Sequence, residues 1–185
     1  MSNGIRHIGL FGAAGILVAA LLIAGFAIGG TIFQVSGKGV LTIQIMDKPV
    51  ELKHLNMTID WVKIQDQDEN WHTLTLKSEP FYFDLLELEY VSETLSETEI
   101  PAGNSTMIWM HVLTANATYP DGTDANLTVP SDVIKVLLKP HLSLEGGGQV
   151  TVLIDLQPDD SIAISQSLNL RPVVKAIVPY SLSGG

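Results

Sequence analysis

The chain has 185 residues, with 20 acidic against 10 basic side chains, a formal net charge of −10, and no cysteine. The excess of carboxylates argues against binding nucleic acid or anionic headgroups through net charge, and it fits a solvated exterior that meets cations. Because disulfides contribute nothing, a hydrophobic core has to hold the fold together.

The first predicted element is a hydrophobic helix over residues 8–33, IGLFGAAGILVAALLIAGFAIGGTIF, which contains no charged side chain. At about 1.5 Å per residue it is roughly 39 Å long, enough to cross a hydrocarbon core of about 30 Å. Arg6 and His7 precede it, whereas all 20 acidic residues follow it. By the positive-inside rule, we expect residues 1–7 in the cytoplasm and the C-terminal domain outside, in a single-pass protein of the cell membrane.

Three interpretations of this helix remain open. Its length exceeds the roughly 7–15 apolar residues of a secretory signal, which favours an uncleaved anchor whose partner is the lipid bilayer. Small residues within 25–29 also fit a cleavable signal peptide. Third, Gly25 and Gly29 form a GxxxG motif, which favours self-association of the helix in a pilin-like filament. Against that, no charged residue directly precedes a candidate cleavage glycine, and no acid occurs before Asp47.

After a short polar linker over residues 34–38, the pattern changes to period-2 alternation with many β-branched residues, interrupted by Gly, Pro, Asp and Asn. This pattern is typical of an all-β sandwich or barrel. We predict an antiparallel β-sandwich of about nine strands over residues 39–178, followed by a C-terminal tail over residues 179–185. The candidate segments are 39–46, 55–64, 71–76, 81–88, 106–117, 125–129, 133–138, 141–145, 150–156, 162–165 and 173–178.

Turn signals separate these strands. The segments 65–70 (QDQDEN) and 119–123 (YPDGT) are predicted to be hairpin turns. The three glycines at 146–148 are also predicted to form a hairpin turn, because neither a helix nor a Lys-Ser/Thr pair follows, as a phosphate-binding loop requires. Residues 89–99 contain acids and no base, and we assign no strand there.

The tryptophan positions and the alternation of apolar residues along the strands together predict the core. In segment 55–64, Trp61 shares a face with Leu55 and Ile59, whereas Asp60 lies on the other face. Trp61, Trp71 and Trp109 are therefore predicted to anchor the core of the sandwich. The alternative is a platform on which sugar rings stack, which requires two of the three on an outer face.

Four N-x-S/T sequons occur after the hydrophobic helix and none before it. Strand alternation places them at solvent-facing or turn positions, which favours an exported glycoprotein carrying N-linked glycans. The acceptors are Asn56, Asn104, Asn116 and Asn126.

No motif predicts catalysis, a metal or a cofactor. The segment beginning at Asp66 resembles the start of a calcium loop, but Trp71 replaces the required glycine and Lys77 the bidentate glutamate. A solvated hairpin turn is therefore expected. No G-x-S-x-G motif is present, so we expect no enzyme. The histidines after the helix lie far apart in sequence and form no H-x-H or HExxH pair, namely His54, His72, His111 and His141.

Several blocks in order resemble a prokaryotic family known as domain of unknown function 4382. They are GVLTIQIMDKPVELKHLNMTIDWVKI, WHTLTL, FDLLEL, VSETL, EIPAGNSTMIWMHV, LTVPSDVIKVLLKPHLSLEGGGQVTVLIDL and LRPVVKAIV. The resemblance covers residues 39–178 and implies an exported, all-β domain, often tethered by a lipid or a membrane helix. It implies no activity and no catalytic residues. A lipobox cysteine is absent, so the expected tether is the helix.

Together these features predict a membrane-anchored extracellular module, with an archaeon as the expected source. Its expected role is non-catalytic, in cell-envelope structure, adhesion or ligand binding, without nucleic acid as a partner. The alternative is a subunit of a cell-surface filament that assembles through the N-terminal helix or by strand exchange between open sheet edges.

Overall fold

The structure is a computed structural model that describes residues 37–47, 50–158 and 168–178. Within these ranges no helix is long and apolar enough to span a membrane. Several predictions lie outside the described residues: the cytoplasmic segment 1–7, the helix over 8–33 with its Gly25 and Gly29 contacts, the strand over 162–165, and the tail over 179–185.

The described residues form ten strands and two short 3-10 turns, Leu85–Leu88 and Pro130–Asp132. The strands are β1 (Lys38–Asp47), β2 (His54–Asp66), β3 (Trp71–Leu74), β4 (Phe81–Asp84), β5 (Glu93–Pro101), β6 (Gly103–Thr118), β7 (Asp124–Asn126), β8 (Val133–Leu144), β9 (Gln149–Gln157) and β10 (Val173–Ile177). This confirms the predicted mainly β class.

The strands form two sheets. The first sheet has the order β10-β9-β1-β5. The second is built on the long strands β2 and β6, with β3 and β4 paired along the free edge of β2 and with β7 and β8 along that of β6. One hydrophobic core takes buried side chains from both sheets, including Ile43 and Ile154 of the first and Met57 and Ile108 of the second. Alternation in these strands therefore encodes the two inner faces.

The first sheet is mixed, so the prediction of purely antiparallel sheets is wrong. Strand β9 runs parallel to β1, from the pair Val40–Gln149 to the pair Asp47–Leu156. The glycines at 146–148 link β8 of the second sheet to β9 of the first, so the predicted hairpin turn is wrong. Strand alternation reports which residues face the core, but it carries no information on which strand pairs with which.

The acidic stretch 89–99, where the sequence predicts no strand, contains most of β5. This edge strand pairs with β1, with Leu95 and Ile100 buried and Glu97 and Glu99 exposed. Charged side chains on an edge strand oppose pairing with another chain, which explains why this strand resembles a solvated loop in sequence. Likewise, the predicted strands 133–138 and 141–145 are one strand, β8, with a register shift against β6.

A β-bulge in β2 moves Trp61 to the outer face. Ile59 pairs with Val112 and Trp61 with His111, which leaves Asp60 as the extra residue between them. Ile59 and Val62 are buried, while Asp60 and Trp61 are both half-buried. The predicted placement of Trp61 on the core face is therefore wrong, because one inserted residue reverses the alternation beyond it.

Gly39 allows the close approach of β1 to the end of β8. A Cβ added there would lie 2.7 Å from the carbonyl oxygen of Glu145 and 2.7 Å from Cδ1 of Leu144. Because the nearest polar atom belongs to the backbone, we expect Gly39→Ala to lower the free energy of unfolding by about 1–3 kcal/mol, measured by urea denaturation.

Gly147 provides a matched control. Its added Cβ would meet nothing within 4 Å, although its φ of +74° disfavours alanine. Gly147→Ala should therefore cost only about 1 kcal/mol through backbone strain. A loss at Gly39 no larger than at Gly147 would contradict the steric explanation.

Candidate ligand-binding surface

Four aromatic rings lie on the outer face of the second sheet. Trp71 and Trp109 are 4.5 Å apart between ring centroids at an interplanar angle of 45°, and Trp61 stacks on His111 at 5.1 Å and 9°. All four side chains are half-buried. We call Trp61, Trp71, Trp109 and His111 the aromatic face. The prediction that the three tryptophans anchor the core is wrong, because each lies on the solvent side of its strand.

Two lysines flank the aromatic face. In the register of the sheet, Lys63 of β2 lies opposite Trp109 of β6, which in turn lies opposite Lys135 of β8. The Nζ atom of Lys63 is 4.8 Å from the ring centroid of Trp61, and that of Lys135 is 4.8 Å from the ring centroid of Trp109. These are cation–π distances. The surface is thus locally basic in a protein whose net charge is negative.

Hydrogen bonds fix the orientation of two of the rings. Nδ1 of His111 lies 2.5 Å from Oδ1 of Asp60, the residue that the β-bulge inserts. Nε1–H of Trp109 donates to the sulfur of Met107 at 2.9 Å. Rings that are held before a ligand arrives lose little conformational entropy when it binds. The bulge therefore contributes both the outward position of Trp61 and the carboxylate that holds His111.

Three of the four predicted glycosylation sites form one row beside the aromatic face. Asn56 of β2 lies opposite Asn116 of β6, which lies opposite Asn126 of β7. Asn126 is exposed, whereas Asn56 and Asn116 are half-buried. Asn104 stands apart and exposed at the start of β6, where its Nδ2 donates to Oε1 of Gln67 at 3.1 Å. Glycan occupancy at all four stays a prediction.

A cleft of about 480 Å³ lies at the start of β2, apart from the aromatic face. Its lining includes His54, Tyr82 and Asp84. The hydroxyl of Tyr82 donates to Oδ1 of Asn56 at 2.6 Å, and Nδ1 of His54 lies 2.6 Å from Oδ2 of Asp84. The carboxylate of Asp84 also accepts from backbone N–H groups, which makes it a structural group. Among the described residues, no three His, Asp or Glu side chains are grouped as metal ligands.

In the turn that resembles a calcium loop, the carboxylate of Asp66 accepts hydrogen bonds from the turn itself. Oδ1 of Asp66 accepts from the backbone N–H groups of Asp68 at 2.9 Å and Asn70 at 2.8 Å. Oδ2 lies 3.1 Å from Nε2 of His72. β2 and β3 form an antiparallel pair across this turn, which confirms the predicted hairpin.

This geometry predicts a pH-dependent stabilisation. Desolvation raises the pKa of Asp66, but hydrogen bonds from His72, Asn70 and Asp68 outweigh it and leave the pKa below its ordinary value. The stabilisation is then fully present above the unfolded-state pKa of about 3.9 and is lost as the pH falls through the lower folded-state pKa. We expect the difference in unfolding free energy between wild type and Asp66→Asn to shrink as the pH falls from about 5 to about 2.

Urea denaturation at a series of pH values measures that difference. Asp68→Asn is the control, because it removes a charge from the same turn but leaves the Asp66 carboxylate in place. The difference in unfolding free energy between Asp68→Asn and wild type should vary less with pH. A pH-independent loss in Asp66→Asn would contradict the role of the ionised carboxylate.

Fold and surface together define a class: a mainly β domain of two sheets with aromatic and cationic side chains on one outer face. The family described as Domain of unknown function (DUF4382) matches residues 38–172, from the start of β1 to just before β10. The chain therefore belongs to this family, and the predicted resemblance is confirmed. No curated protein matches the chain significantly.

Among solved structures, the NMR structure of a protein from Eubacterium rectale is similar at 14% sequence identity. The match covers 78% of this chain and 93% of that chain, with a TM-score of 0.23.

Proposed function

We propose that this chain is a non-catalytic, membrane-anchored module of an archaeal cell surface, and that its aromatic face binds polysaccharide. The supporting observation is that Trp61, Trp71 and Trp109 all lie on the outer face of one sheet, two of them in ring contact. Sugar rings bury their C–H faces against indole rings, and a tryptophan that is half-exposed offers the needed apolar surface next to water. Rings on three neighbouring strands suit a polymer that extends over several sugar units.

Polysaccharide binding is tested directly with the full chain in detergent. Cosedimentation with insoluble polysaccharides and tryptophan fluorescence with soluble oligosaccharides together detect binding at this face. Saturable binding accompanied by a change in indole emission supports the proposal. Failure to bind any member of a panel of neutral and acidic polysaccharides would contradict it.

The membrane anchor is supported by the uncharged stretch 8–33 and by the position of all four sequons after it. N-terminal sequencing of the mature protein from membranes of its source tests it. An intact Met1 supports an anchor, and a start within residues 28–30 indicates secretion. A start within residues 4–10 indicates processing of the pilin type.

A filament subunit is the second candidate, because β10 lies at the edge of the first sheet. Among the described strands, β10 pairs only with β9. Its side chains Val173 and Ile177 are 59% and 54% exposed. An apolar edge strand of this kind can accept a strand from another copy. Electron microscopy of cell-surface material distinguishes the two: ordered fibres that contain the chain favour the filament, and detergent-soluble monomers favour the anchored module.

A further inference from the structure

A small cationic pocket adjoins the aromatic face. It has a volume of about 250 Å³ and lies between β8 and the segment that leads into β10. Lys135 and Arg171 stand in its lining among apolar residues such as Val133 and Pro172. The described residues that line it include no carboxylate, and Asp132, which lies between the lining residues Pro130 and Val133, is exposed to solvent. In a chain with 20 acidic side chains, two cations in one pocket without a counter-charge there create a local site for an anion.

Lys135 connects this pocket to the aromatic face. Its ammonium group lies 4.8 Å from the ring centroid of Trp109, and the same residue lines the pocket. On the other side of Trp109, the opposite residue on β2 is Lys63. A ligand that covers Trp109 is therefore close to cations on both sides.

The carboxylates beside the aromatic face do not neutralise the charge of the flanking lysines. Asp60 is hydrogen-bonded to His111 and Asp66 to His72, so each of them faces a histidine. Lys135 is exposed, and its ammonium group lies over the Trp109 ring. An ammonium group in contact with a ring remains able to attract a carboxylate, because the ring carries no net charge.

We propose that the aromatic face and this pocket together bind an acidic polysaccharide, specifically a polyuronate, with sugar rings against the aromatic face and a uronate carboxylate held by Lys135 and Arg171. The proposal rests on the polysaccharide-binding function proposed above and names the ligand class. A polyuronate provides apolar ring faces and regularly spaced carboxylates on one chain. Arginine suits the carboxylate because its planar guanidinium can donate two parallel hydrogen bonds.

The test compares two ligands that differ only in their carboxylates. The full chain in detergent is titrated calorimetrically with polygalacturonate fragments and with the same fragments after reduction of their carboxyl groups to alcohols. At about 50 mM salt, we expect the acidic fragments to bind about tenfold more tightly, and we expect this advantage to decline at about 500 mM salt. Both Lys135→Gln and Arg171→Gln should abolish most of the advantage.

Lys175→Gln is the matched control, since it removes an equal charge from an exposed position on β10 in the first sheet. It should leave the preference for acidic fragments intact. Equal binding of acidic and reduced fragments would overturn the charge inference and leave the proposed polysaccharide function standing. Absence of binding to both ligands would overturn both. Self-association that Lys135→Gln abolishes, without binding of fragments, would instead assign the surface to a second copy of this chain.

Discussion

Asp84→Ala is expected to lower the free energy of unfolding by about 3 kcal/mol, because one buried carboxylate serves three donors. Oδ1 accepts from the buried backbone N–H of Leu55 at 3.0 Å and from the N–H of Leu86 at 3.1 Å, the latter as the N-cap of the 3-10 turn. Oδ2 bonds His54 at 2.6 Å. Alanine leaves the Leu55 N–H without its acceptor in the core, uncaps the turn and frees the imidazole.

Two variants separate these contributions. Asp84→Asn keeps an oxygen in place for both backbone donors and should lose less than half as much stability. His54→Ala removes only the partner of Oδ2, and the His54 side chain is 51% exposed. The free energy of unfolding should therefore fall by no more than about 1 kcal/mol. Urea denaturation followed by tryptophan emission, with an unchanged m-value, measures all three. A similar loss in Asp84→Ala and His54→Ala would contradict the importance of the backbone contacts.

Much of the fold could be predicted from the sequence because burial follows a local rule. Alternation gives β1, β2 and β9 within one or two residues of their observed bounds and β6 within three. The Asp-Gly pair in 119–123 forms the predicted turn, with the Tyr119 N–H donating to the carbonyl of Thr123. Strand pairing is not local. The parallel partner of β1 lies about a hundred residues away along the chain, and no periodicity reports it.

The candidate surface could be predicted only as an alternative to a tryptophan core, because the position of Trp61 depends on one inserted residue. Without the bulge at Asp60, alternation places Trp61 in the core. The sequence of residues 59–62 (IDWV) does not reveal the bulge, because each of these residues can also occur in a regular strand. The pairing of His111 with Asp60 joins residues 51 positions apart, so sequence spacing gave no reason to group them. Side chains that are distant in sequence meet only once the register is known.

Trp109→Ala is expected to weaken polysaccharide binding at least 30-fold, or about 2 kcal/mol. Trp109 is the ring at which the parts of the surface meet, because it contacts Trp71 at 4.5 Å and Lys135 at 4.8 Å. Removing it takes away a stacking surface and releases Lys135 from its position. Trp109→Phe retains a smaller aromatic face and should lose only about threefold to tenfold.

The same substitution also affects the sheet, so binding has to be separated from stability. A contact between two aromatic rings contributes about 0.5–1.5 kcal/mol beyond the area it buries, so Trp109→Ala should stay folded and still lose affinity. Tyr90→Ala is the matched control, because Tyr90 is 86% exposed in the loop before β5 and outside the aromatic face. It should bind polysaccharide like wild type. Wild-type affinity in Trp109→Ala would show that exposed tryptophans stabilise this sheet without contacting a ligand, and the proposed function would have to be abandoned.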